Sequence, residues 1–233
     1  MAAPIEPSPS SASAGSLAGI VLMSASLLEI PAMLHHPEVR MQNPSQAIAQ
    51  LTALNTLAAW VHGTLIALML LILTGLTEFA RRRDLRRPLI RTGLVVYAAG
   101  VVGMIGAALV SGYITGRVPG TTLSVGAEDL AITTRLLALC MLFNQAFARF
   151  GALAMSAGIA LWSLDLARLP GLARALGSLG VVIGVFCVAT LILGVLQLDV
   201  RGMLLVIVLQ AIWCVGLGLF LWRSAQADYQ PIP

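Results

Sequence analysis

The 233-residue sequence contains no lysine, so all of its basic charge is arginine. That absence excludes a retinal or pyridoxal Schiff base and a lysine nucleophile anywhere in the chain. Charge of either sign is scarce. Asp, Glu, Lys and Arg make up 10% of residues, where a soluble domain has about a quarter. A chain so poor in charge cannot clothe its surface in polar groups, and its solvent is therefore lipid. The three cysteines, Cys140, Cys187 and Cys214, each sit in an apolar stretch with no Cys-x-x-Cys. They make neither a disulfide framework nor a zinc knuckle and read as small apolar fillers. No Gly-x-Ser-x-Gly elbow, Walker loop, dinucleotide fingerprint or His-Glu-x-x-His is present. No adjacent intramembrane aspartates suggest an aspartyl protease, and no histidine is spaced to activate Ser24, Ser26, Ser111 or Ser156. The net charge of +4 reads as a device that orients membrane spans, with no nucleic acid as partner.

What is abundant is apolar. Hydrophobic residues make up 58% of the chain, and the mean hydropathy is +0.92. The apolar runs are about twenty residues long, the length of a spanning helix, and lack the ten-residue alternation of a transmembrane barrel. Helices satisfy their own backbone inside hydrocarbon. The expected fold class is therefore all-α, a polytopic helical bundle of six spans with the lipid bilayer as its first partner. A disordered Ala/Pro/Ser-rich segment is expected over 1–15, the bundle over 16–223 and a polar tail over 224–233. No Lys or Arg precedes the first apolar run and no small-x-small cleavage site follows it, so 16–35 reads as a retained span, not a signal peptide. The other spans fall at 53–77, 92–114, 145–166, 176–196 and 202–222. The apolar helical pattern over 129–167 would be ~58 Å long against a bilayer core of about 30 Å. It therefore divides into a lead-in helix, 129–144, and a span.

Arginine placement sets the orientation. The loop after the second span carries Arg81, Arg82, Arg83, Arg86, Arg87 and Arg91, the loop after the fourth carries Arg168 and Arg174, and Arg223 follows the sixth. The opposite side holds Arg40, Arg117, Arg135 and Arg201. The positive-inside rule puts both termini in the cytoplasm and 39–52 outside. Ala99, Gly103, Ala107 and Ser111 in the third span, and Gly180 and Gly184 in the fifth, are spaced for close helix contact.

Ionisable groups inside spans mark function by default. Glu29, Met33 and His36 fall at i, i+4 and i+7, one helix face, with Pro31 placed to kink that helix. His62 lies in the outer half of the second span, with Asn55 seven residues before it. An antiparallel pairing of the first two spans brings Glu29 or His36 to the depth of His62. Four readings fit the cluster. It suits a divalent metal, since imidazole and carboxylate are zinc-type ligands. It suits haem b held by His36 and His62. It suits a proton- or quinol-linked site. The plainest version is a Glu29–His62 hydrogen bond within the bundle, with His35 and His36 at the interface. A second polar patch comprises Asn144, Gln145 and Arg149. Arg149 is placed to snorkel to the outer interface, to pair with Glu29 or to meet an anionic headgroup. Asp165 and Arg168 fit a helix-end pair, Gln210 a bond to a neighbouring helix, and Trp60, Trp162, Trp213 and Trp222 include candidates for the interfacial belt.

Residues 158–184 (GIALWSLDLARLPGLARALGSLGVVIG) carry a span that ends in a polar turn, then Leu169-Pro170 and Leu176-Gly177 leading into the next apolar helix. This stretch resembles a family of bacterial six-span integral membrane proteins of unknown function. The first loop, with Asn43-Pro44 and an amphipathic 45–55, is similar too. The likeness covers roughly half of the chain by pattern. It implies a six-span fold in a bacterial cytoplasmic (inner) membrane and supplies no activity or site residues. With catalytic motifs missing, the functional expectation is a non-enzymatic protein that binds a small ligand or serves as an accessory subunit beside membrane-protein partners. The alternatives are a metal- or haem-binding redox protein using Glu29, His36 and His62, and a small transporter lined by Glu29, His62, Asn144 and Arg149.

Overall fold

A computed structural model describes residues 9–37, 44–121 and 127–227. Six helices are long and apolar enough to cross a membrane. They are α1 (Pro9–Leu34), α2 (Pro44–Arg82), α3 (Pro88–Leu109), α5 (Ala127–Leu166), α6 (Gly171–Ile192) and α7 (Val200–Ala227). Beyond Leu109 the chain passes through a π-helical turn, Val110–Ile114, and a 3-10 turn, Thr115–Arg117, into the short α4, Val118–Thr121. The expected all-α architecture is the observed one, and the protein is a polytopic membrane protein.

Helix ends follow local chemistry. Pro88 opens α3 at a position where its missing N–H costs nothing. In the turn before it Asp84 adopts φ 78 and accepts the Arg86 N–H at 2.9 Å. Gly194, at φ 70, follows the end of α6, a conformation that suits glycine. Asp199 caps α7 by accepting the Gly202 N–H at 2.8 Å. α1 begins at Pro9, well before the span expected from 16, and residues 1–8 lie outside the described part. Pro31 leaves α1 unbroken to Leu34, because it falls in the last turn, where few backbone bonds remain to lose.

The expected division of the fourth region is corrected. α5 is one continuous helix of 40 residues, since nothing in 129–167 breaks it: no proline, and Gly151 and Gly158 alone. Helices α2 and α5, of 39 and 40 residues, are each ~60 Å long, about twice a bilayer core. They meet at the arginine end, where Arg83 and Arg87 both bond the Asp165 carboxylate. Their surplus length therefore lies at the other end. The expected Asp165–Arg168 pair is replaced by this interhelical one, because Asp165 faces the α2–α3 turn and is almost fully buried.

Around the bundle α1 packs on α2 and α7, α3 on α2 and α5, and α6 on α5 and α7. Small residues allow the closest contacts. A Cβ on Gly19 of α1 would lie 2.6 Å from the Gly218 carbonyl of α7, and one on Gly218 would lie 2.7 Å from the Gly19 carbonyl. In α3 the packed stripe is Gly93, Gly100, Gly103 and Ala107, whereas Ala99 of the expected stripe is exposed. Gly180 and Gly184 are both buried, as their spacing suggested. The core at mid-depth is aromatic. Trp162 and Trp213 stack in parallel with centroids 6.2 Å apart, beside Tyr97 and Phe79. Trp162 donates to the Ile90 carbonyl at 3.0 Å. Both tryptophans are fully buried, so neither belongs to the belt, whereas Trp60 is 74% exposed and Trp222, beside Arg223, is half-buried.

Candidate functional site

Above the aromatic layer, at the end opposite the arginines, a cavity of about 220 Å³ opens among α1, α2, α3, α5 and α7. Antiparallel packing builds it: the last turns of α1 and α3 lie beside the middle turns of α2 and α5 and the first half of α7. The face predicted for α1 points into it, with Glu29, Met33 and His36 all on its wall. His62 of α2 joins them, as do Asn144 and Gln145 of α5. Asn55 and Arg149 do not line it.

The two histidines meet. His36 Nε2 and His62 Nε2 are 3.2 Å apart, with the rings edge-on at a centroid distance of 4.8 Å. A carbonyl only accepts, so His62 Nδ1–H donates to the Ala58 carbonyl at 2.7 Å. The His62 Nε2 lone pair of the neutral ring then faces His36. When His36 Nε2–H donates to it, His36 Nδ1 is left as a bare acceptor, buried and with no hydrogen-bond donor facing it among the described residues. Its neighbour His35 turns outward and bonds the Pro31 carbonyl, as adjacent helical positions must diverge. Gly112, in the π-helical turn, lets His62 approach α3. A Cβ there would lie 2.6 Å from the His62 Cβ.

The expected direct Glu29–His62 hydrogen bond is not formed, because His62 takes His36 as its partner. Glu29 is 9% exposed, on the cavity wall, one helical turn below Met33. The second polar patch is mostly structural. Arg149 donates to the Leu191 carbonyl in the last turn of α6, which satisfies an end-of-helix acceptor, so it neither snorkels freely nor pairs with Glu29. Asn144 donates to the Ala107 carbonyl at 2.9 Å, just before the π-helical turn, where the regular ladder is interrupted. Gln145 donates to the Leu198 carbonyl at 3.2 Å. Asn55 lies against Gly116, beyond the cavity. Gln210 donates to Ser156 of α5 at 3.2 Å, the interhelical bond its position suggested, and also faces the cavity.

Of the methionines in the lining, the sequence singled out Met33 alone. Five of the nine methionines, Met33, Met69, Met104, Met155 and Met203, line this one cavity. Each comes from a different helix, so only the register between helices brings them to one depth. Among the described residues no three His, Cys, Asp or Glu converge on a common point. The cavity is thus a largely apolar chamber lined by a histidine pair and two carboxylates, Glu29 and the helix-capping Asp199.

No family model, curated protein or solved structure matches this chain. The functional reading therefore rests on the cavity itself.

Proposed function

We propose that this protein is a non-enzymatic membrane protein that holds a small ligand in the cavity at its histidine end. The carrying observation is the chamber of about 220 Å³, with apolar walls and a few convergent polar groups, the usual construction of a ligand site. Glu29, His36, His62 and Gln210 orient the ligand, and the methionines shape themselves to it. The fully buried layer of Trp162, Trp213, Tyr97 and Phe79 between the cavity and the arginine end favours binding over transport, since a through-path would require that layer to part. The histidine pair favours a cis pair of ligands over haem b. Two axial nitrogens on one iron stand roughly 4 Å apart across a macrocycle, whereas these rings are in contact. The arginine distribution supports an orientation with both termini in the cytoplasm, and the resemblance of 158–184 supports a bacterial inner membrane. Service as an accessory subunit to a larger membrane complex is compatible with the same site.

Native mass spectrometry of the protein in lipid nanodiscs tests the reading. A bound molecule is expected on the unaltered chain and not on Ala152→Phe, which fills the chamber from α5, or at reduced occupancy on Gln210→Leu, which keeps the volume and removes a polar contact. Identical spectra for all three chains would reject the site.

A further inference from the structure

We propose that the cavity takes a soft monovalent metal cation, of the copper(I) class, held by His36 and His62 nitrogen and by thioether sulfur from Met33 and Met203. The inference rests on the reading of the cavity as a ligand site and narrows it to one ligand chemistry.

Geometry is the first support. Two nitrogens bound at about 2.0–2.1 Å to one trigonal or tetrahedral metal lie roughly 3.3–3.6 Å from each other. His36 Nε2 and His62 Nε2 are 3.2 Å apart and on different helices, so the bundle already holds the pair at chelating separation. The second support is orientation. The Ala58 carbonyl fixes the His62 tautomer through Nδ1, which leaves Nε2 as the ligating atom, in the way metal-bound histidines are held by a partner on their other nitrogen.

The donor set decides the metal. With no third His, Cys, Asp or Glu within reach among the described residues, a zinc-type cluster is incomplete. Thioether sulfur is at hand instead. Met33 is buried in one cluster with Val61, the residue before His62, and Met203 of α7 packs against the same cluster. Both line the cavity. Imidazole and thioether ligands select copper(I) over harder ions. The four donors are neutral and sit in largely apolar surroundings, with the Glu29 and Asp199 carboxylates also on the cavity wall.

The test is an anaerobic titration of the full chain in nanodiscs with copper(I) against a chromogenic competing chelator. Silver(I) serves as a redox-inert probe and zinc(II) as the control. One copper(I) or silver(I) per chain is expected, bound more tightly than zinc(II), with X-ray absorption showing both nitrogen and sulfur neighbours. His62→Ala should weaken copper(I) binding by more than about tenfold. Met33→Leu, which conserves volume and leaves the histidine pair intact, should weaken copper(I) and not zinc(II). Its retained melting temperature would show that loss of metal is not loss of fold. Preference for zinc(II), a shell of nitrogen and oxygen only, or an unchanged affinity in Met33→Leu would overturn the proposal. If no metal binds but a molecule still leaves on Ala152→Phe, the metal assignment fails and the cavity reading stands. If neither occurs, both fail.

Discussion

At the residue scale, the site depends on one missing side chain as much as on those present. Gly112 leaves the room that His62 occupies beside α3, with 2.6 Å between the position of an added Cβ and the His62 Cβ. Gly112→Ala should therefore push the imidazole away from His36. Overpacking of this kind costs about 1–3 kcal/mol, so a modest fall in melting temperature should accompany loss of the cavity ligand in the native mass spectrum. A variant that melts lower but binds unchanged would show that the approach of His62 to Gly112 is packing alone. The second decisive residue is far from the cavity. Asp165, 5% exposed, accepts from Arg83 and, at 3.1 Å, from Arg87. Asp165→Ala strands two guanidinium groups. Removing one partner of a buried ion pair costs about 3–5 kcal/mol. Half of the Arg87 side chain is exposed and can rehydrate, which brings the expected loss to about 2 kcal/mol. Thermal unfolding in detergent reads it, and a change near zero would mean that the pair is already solvated.

At the element scale, α2 and α5 are the unusual members. Each runs about twice the thickness of a bilayer core, and both are pinned at the arginine end by Arg83 and Asp165. Their far ends must then rise beyond the membrane, and the cavity mouth sits at the level where they do. Residues such as Thr134 and Arg135, both exposed on α5, should be in water. In a Cys140→Ala background, Thr134→Cys is expected to react with a membrane-impermeant maleimide added to intact cells. Arg86→Cys, exposed in the α2–α3 turn at the opposite end, should react only after the cells are opened. The reverse pattern would invert the molecule, and equal protection of both sites would mean that α5 is steeply tilted within the bilayer.

At the scale of the whole molecule, the bundle is divided by depth. The arginine end is closed by ion pairs, the middle by stacked aromatics, and the histidine end holds the open volume. A closed lower half is what a binding protein requires to keep a ligand from crossing. The same division places Glu29 just above the aromatic layer, where a carboxylate is tolerable because the cavity, not lipid, faces it.

Much of this was legible in the residues alone. The scarcity of charge and the length of the apolar runs determined a membrane bundle of six helices, because hydrocarbon leaves a backbone few alternatives. The 3.6-residue period placed Glu29, Met33 and His36 on one face, and the three do share the cavity wall. Partner choice was not legible. Whether His62 met Glu29 or His36, whether Asp165 met Arg168 or Arg83, and whether Arg149 faced water or the end of α6 depend on axial register between helices. Register is set by small-residue contacts such as Gly19 with Gly218 and Gly112 with His62. The five methionines illustrate the same limit, being scattered along the chain and brought to one depth only by packing. Local periodicity lies within a single helix and can be read from one sequence. The distance between two side chains on different helices is a property of the bundle, and only the tertiary structure decided it.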